Sequence, residues 1–159
     1  MAVQPIPEGF HTVTPYFNVR GAAAAMDFYA KAFGATEVYR LTMPDGTVAH
    51  AELQIGGSRV MLADENAEWG NLGPESLGGA SAGIMLYVED VDASFAQAVA
   101  AGATVKDAIE DQFYGDRMGS VTDPYGHKWM IATHKEDIAP AEIQKRMETW
   151  LASMMPAAA

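Results

Sequence analysis

Apolar residues along the chain keep two different rhythms that take turns. In GAAAAMDFYAKAF at 21–33, Met26, Tyr29 and Phe33 recur at helical spacing, and Gly34 follows where a helix would stop. In DVDASFAQAVAA at 90–101 the same design returns with Val91, Phe95 and Val99, closed by Gly102. A short apolar segment ends at Val19 before the first stretch and at Val88 before the second. Behind each glycine the period drops to two, the rhythm of half-buried strands. After Gly34 come ATEVYRLTM, TVAHAELQI and SRVMLA, parted by PDG at 44–46 and GG at 56–57. After Gly102 come ATVKDAIEDQF, RMGSVT and HKWMIAT, parted by YGD at 114–116 and DPYG at 123–126. Glycine tolerates positive φ and proline presets φ, so these separators read as turns.

The two rhythms coincide with a repeat. FGATEVY at 33–39 and AGATVKD at 101–107 share Gly-Ala-Thr, and the interval from Gly46 to Gly57 equals that from Gly115 to Gly126. A strand-helix-three-strand unit used twice is predicted: an α+β domain over 11–138, with module 1 at 11–65, a loop-like linker at 66–81 and module 2 at 82–135. A C-terminal helix is expected at 139–155, with Ile143, Met147, Trp150 and Met154 on one face.

Composition narrows the chemistry. The 159 residues suffice for one domain, and the absence of cysteine excludes disulfides, thiolate nucleophiles and thiolate metal ligands. A net charge of −11 without a basic cluster argues against nucleic acid and anionic membranes as partners; it reads as a solvated acidic surface that aids solubility, or as favouring a cationic ligand. With no apolar run long enough to span a bilayer and no leader pattern, a soluble, cytoplasmic protein is expected.

The tandem βαβββ pattern, together with MDFYAKAFGA, HAELQIGGSRVMLADE and DPYGHKW, resembles the vicinal oxygen chelate superfamily: glyoxalase I, extradiol dioxygenases, and fosfomycin- and bleomycin-resistance proteins. Within it, these segments resemble the PhnB-like, glyoxalase-like subgroup. It implies a mixed sheet curled into a cup, with helices outside and a ligand inside. Strand alternation then assigns faces. Thr14, Tyr16 and Asn18 turn inward on the first strand. His50, Glu52 and Gln54 turn inward on the third, with Ala49, Ala51, Leu53 and Ile55 under the helix. Gly83, Met85 and Tyr87 face the cavity from the second module, and Lys128, Met130 and His134 from its last strand.

Metal-dependent members place His, Gln or Glu on the first and last strands of each module. That correspondence puts Thr14, Met61, Gly83 and Met130 at the four positions, none of them a good ligand for a hard or borderline ion. The usual metal site is therefore expected to be absent and no cofactor is expected, a divalent metal held through His50 and Glu52 being the alternative. His50 and Glu52 are the candidate acid/base pair, or simply a polar pair lining a wet pocket. Tyr16, Asn18, Met61, Met85, Tyr87, Phe113, Tyr114, Arg117, Met130 and His134 are the candidate ligand-binding residues. Arg117 would grip a ligand anion or pair with Asp116 to pin its hairpin. His127 reads as structural, and Asp64, Glu65 and Glu68 beside Trp69 as a solvated acidic loop or, alternatively, a place to meet a cation. Two functions remain open: a metal-free binding or sequestering module, similar to bleomycin-resistance proteins, or a lyase, isomerase or dioxygenase using His50 and Glu52. A homodimer is implied by the resemblance.

Overall fold

The computed structural model describes residues 3–154. The first module runs β1 (Tyr16–Val19), α1 (Ala22–Phe33), β2 (Thr36–Thr42), β3 (Val48–Ile55) and β4 (Ser58–Asp64). A single 3-10 turn at Ala67–Trp69 and a short helix, α2 (Pro74–Leu77), occupy the segment expected to be a plain loop. The second module runs β5 (Gly83–Tyr87), α3 (Val91–Ala101), β6 (Thr104–Asp111), β7 (Asp116–Thr122) and β8 (Lys128–His134), and α4 (Pro140–Met154) follows. Residue 155 of the helix expected at 139–155 lies outside the described residues. The α+β architecture of tandem βαβββ modules with a C-terminal helix is present.

The eight strands make two four-stranded mixed sheets, ordered β1-β4-β3-β2 and β5-β8-β7-β6. In each, the first strand lies parallel to the last, because the helix carries the chain across the sheet, while the later strands join through tight antiparallel turns. One face of each sheet is packed against helices and the other is open. α1 and α3 pack on each other, and a single core draws Phe17, Tyr29 and Leu53 from the first module and Phe95, Trp129 and Ile131 from the second. Each such large side chain removed from water contributes roughly 1.5–3 kcal/mol.

The modules are also joined by a polar junction inside that core. Asp123, at the β7–β8 turn, accepts hydrogen bonds on Oδ2 from the Tyr29 hydroxyl on α1 and from Trp129 Nε1 on β8, each at 2.9 Å. Its Oδ1 accepts the backbone N–H groups of Tyr125 and His127. Burial alone would raise the Asp123 pKa, but the nearby His127 and the hydrogen bonds from Trp129 and the His127 backbone N–H overcome it, and the carboxyl is held below its usual range.

The helix starts are built differently. Asp90 caps α3 locally, accepting the Ala93 N–H. α1 begins at Gly21 with no side chain to cap it. Asp64, forty-three residues on, accepts the N–H groups of Gly21 and Ala22 on Oδ1 and that of Val48 on Oδ2.

Several expected positions shift. Thr14 precedes β1, its hydroxyl bonded to the His11 carbonyl. On β3, Val48 is buried and Ala49 exposed, reversing the expectation for that end of the strand. The β2–β3 register slips between Leu41↔His50 and Thr42↔Val48, and the extra residue flips the alternation. On α3, Ala98 is buried while Val99 is partly exposed. The α4 stripe is half covered: Ile143 and Met147 are partly buried, whereas Trp150 and Met154 are exposed.

Candidate functional site

The open face of the first sheet carries a row across all four strands. Tyr16 on β1 lies beside Met61 on β4, Met61 beside Glu52 on β3, and Glu52 beside Tyr39 on β2. His50 stands one pair along β3. Its Nδ1 is 3.1 Å from the Tyr16 hydroxyl and its Nε2 is 3.7 Å from Glu52 Oε1. The rings of Tyr16 and Tyr39 flank the imidazole, each with a centroid 5.6 Å away. Partial burial pushes the Tyr16 hydroxyl pKa up. For Tyr39 the same effect is joined by the Glu52 carboxylate. Both ring nitrogens of His50 thus face protein groups, and Glu52 is itself buried.

The second sheet presents a different row: Met85 on β5, Met130 on β8, Ser120 on β7 and Asp107 on β6. Its imidazole lies at the far end. Asp116 is buried and accepts the Tyr87 hydroxyl on Oδ2 at 2.9 Å, while His134 Nδ1 meets its Oδ1 at 2.7 Å. His134 Nε2 contacts Asp137 at 3.0 Å. These hydrogen bonds, from Asp116 first and Asp137 next, raise the His134 pKa, and the bond to Asp116 followed by burial raises that of Tyr87.

Between the two sheet edges lies a cleft of about 720 Å³. Tyr16, Phe17 and Asn18 of β1 form one wall and Gly83, Ile84 and Met85 of β5 the other. Leu72, Pro74 and Leu77 of the linker complete it, and His127 also lines it. Its size suits a small organic ligand. Asn18 Oδ1 and His127 Nδ1 are buried without a hydrogen-bond partner, the latter 3.5 Å from Asp123. The cleft brings together Tyr16, Asn18 and Met85 of the expected ligand-binding set. His50 and Glu52 do not line it, and reach it only through Tyr16.

The remaining candidates fall elsewhere. Phe113 packs edge-on against Tyr114 and lies 5.6 Å from the Trp150 ring of α4. The Tyr114 hydroxyl touches Met118 Sδ at 3.5 Å. Arg117 corrects the pairing expected with Asp116: β7 turns it toward α3, where its fork takes both Asp92 oxygens at 2.8 and 2.9 Å and reaches Asp111 at 3.2 Å. Asp116, one residue earlier, points to the opposite face by strand alternation. Asp64 and Glu65 beside Trp69 are occupied as well. Asp64 holds backbone amides, and Glu65 accepts from Arg20, Gly73 and Ser76.

The metal positions implied by the resemblance do not form a ligand set. Met61 and Met130 offer thioethers, Thr14 lies outside β1, and at Gly83 an added Cβ would stand 3.0 Å from Met130 Cε. The Met130 methyl thus fills the space a ligating side chain would need. Among the described residues no group of three or more His, Asp or Glu side chains is arranged to hold a metal ion.

Residues 9–131 match the Glyoxalase/Bleomycin resistance protein/Dioxygenase superfamily, and the chain belongs to that family. An uncharacterised protein of Mycobacterium tuberculosis (strain ATCC 25618 / H37Rv) is 45% identical over 140 residues, which cover 86% of this chain and 82% of the relative. Among solved structures, TioX from Micromonospora sp. ML1 superposes with a TM-score of 0.62 at 28% identity, covering 78% of this chain and 98% of TioX. TnmS3, an antibiotic binding protein from Streptomyces sp. CB03234, shares the fold with a TM-score of 0.59 at 21% identity, covering 85% of this chain and 99% of TnmS3. No helix among the described residues is long and apolar enough to cross a membrane.

Proposed function

We propose that this protein binds and sequesters a small, largely aromatic molecule in the cleft between β1 and β5, without a metal ion. The observation that carries the reading is the cleft itself: an apolar space of ligand size, walled on one side by Tyr16 and Phe17, at the strands where metal-dependent relatives place ligands, with Gly83 at one of those positions. His50 and Glu52 lie outside the lining of this cleft, which supports binding there over acid/base catalysis by that pair, since a general base must stand within reach of its substrate. The charge of −11 favours neutral or cationic aromatics, and the antibiotic binding of TnmS3 supplies a precedent on the same fold. A homodimer belongs to this proposal, supported by the exposed Trp150 and Met154 of α4.

The test is saturable binding of neutral and cationic tricyclic aromatics, 9-aminoacridine first, measured by fluorescence titration. Leu77→Gln and Met85→Gln, both at exposed cleft positions, are expected to weaken binding roughly tenfold while the fold survives. Elemental analysis of untagged protein is expected to find no stoichiometric metal. Failure of every probe to saturate, or stoichiometric metal lost on His50→Ala, would overturn the reading.

A further inference from the structure

Arg20, Arg40, Arg117 and Arg146 each pair with a carboxylate. Arg59 pairs with none among the described residues, in a chain with about twice as many acidic as basic side chains. It stands on the open face of the first sheet, two residues before Met61 on β4 and opposite Gln54 on β3. Its Nε and Nη1 are buried and have no acceptor. The N-terminal segment lies over it, with the Phe10 ring centroid 5.7 Å from the guanidinium carbon. Glu52, one pair along on the same face, could have neutralised it, but no ion pair joins the two, and the Glu52 carboxylate lies nearest His50, 3.7 Å from its Nε2. A half-buried guanidinium whose Nε and Nη1 find no acceptor is a costly arrangement, and an oxyanion is its natural complement, because the planar fork offers parallel donors to carboxylate or phosphate.

Arg59 also lines a second cleft, of about 410 Å³, with Val13, Pro15, Ile84, Met85 and Tyr87. This cleft touches the first only along Pro15, Ile84 and Met85. We propose that Arg59 is the receptor for an oxyanion carried by a small molecule whose apolar body lies against Met85 and Tyr87, with Phe10 closing over the ion pair. The site is distinct from the aromatic cleft proposed above. Its ligand class, an apolar acid or phosphate ester, runs against the overall charge of the chain.

Calorimetric titration of the full chain with 2-naphthoate and with 2-naphthamide tests the charge alone, since the two share their aromatic body. The naphthoate is expected to bind roughly tenfold tighter. In Arg59→Gln that preference should vanish while naphthamide affinity stays, and Arg59→Lys should restore only part of it. A further titration with 2-naphthyl phosphate ranks the oxyanions: tighter binding than naphthoate supports the site as a phosphate receptor, weaker binding as a carboxylate receptor. Equal binding of naphthoate and naphthamide by the unmodified protein overturns the proposal even if no variant folds, and so does a folded Arg59→Gln that keeps the preference. Loss of protease protection of residues 3–10 in Arg59→Gln, with naphthoate binding unchanged, would likewise overturn it, leaving Arg59 as a clasp for the N-terminal segment. A protein that binds 9-aminoacridine but not naphthoate loses this site and keeps the first.

Discussion

The two modules have the same strand order and the same turn spacing, yet their open faces carry different chemistry at different places. In the first, the imidazole sits mid-sheet on β3, with its carboxylate two residues along the same strand and a tyrosine from β1. In the second, it sits at the end of β8, with its carboxylate across the ladder on β7 and a tyrosine from β5. The matching central rows read Tyr16-Met61-Glu52-Tyr39 and Met85-Met130-Ser120-Asp107. Only the methionine recurs. A duplicated backbone fixes where side chains can point, and leaves open which of them carry polar groups.

The sharpest way to break the equivalence is at the hairpin turns. Gly46 and Gly115 stand at the same place in their modules and both have positive φ, 90° and 100°. A Cβ at Gly46 would meet open space, whereas at Gly115 it would run into the Glu136 carbonyl. Gly115→Ala is expected to cost about 3 kcal/mol and Gly46→Ala only about 1 kcal/mol, read as shifts in urea midpoint at constant m-value.

Helix starts give the next contrast. Asp64→Ala strips an acceptor from three backbone N–H groups and should cost about 2 kcal/mol. Asp90→Ala removes one local cap and should cost about 1 kcal/mol. Equal losses in the same denaturation experiment would show that the long-range cap adds nothing to a local one.

The smallest effect concerns pH. His134 has its folded-state pKa raised above 6.5, so protonation favours the folded state. The stability it brings is complete below about pH 6.5 and is lost as pH rises through the raised value. A melting-temperature profile should therefore fall over that window, and His134→Gln should flatten it. An unchanged slope would mean that Asp116 and Asp137 do not favour the charged ring.

Module order, turns and helices were legible in the sequence because glycine spacing and hydrophobic period are local signals. The β3 bulge was not: Val48 and Ala49 fit either alternation, and only pairing with β2 decides between them. Arg117 was misread for a related reason. Its neighbour Asp116 is adjacent in sequence but on the opposite face, while Asp92 lies twenty-five residues away in the first turn of α3. Tyr39 and Arg59 carried a weaker signal, the period-two match to the open face. Nothing local distinguished an arginine without a partner from one with two.

Asp123 binds a tyrosine of one repeat and a tryptophan of the other with the same oxygen. Whatever ancestral half-chain gave rise to the repeat, its descendants have exchanged autonomy for mutual dependence. Neither half retains a complete set of partners for its own buried polar groups, so a chain divided at the linker would give two fragments that each expose an unmet hydrogen-bonding demand. Loss and recovery of native structure should accordingly involve both halves in one concerted event, with the protons shared at this carboxylate among the last to exchange with solvent.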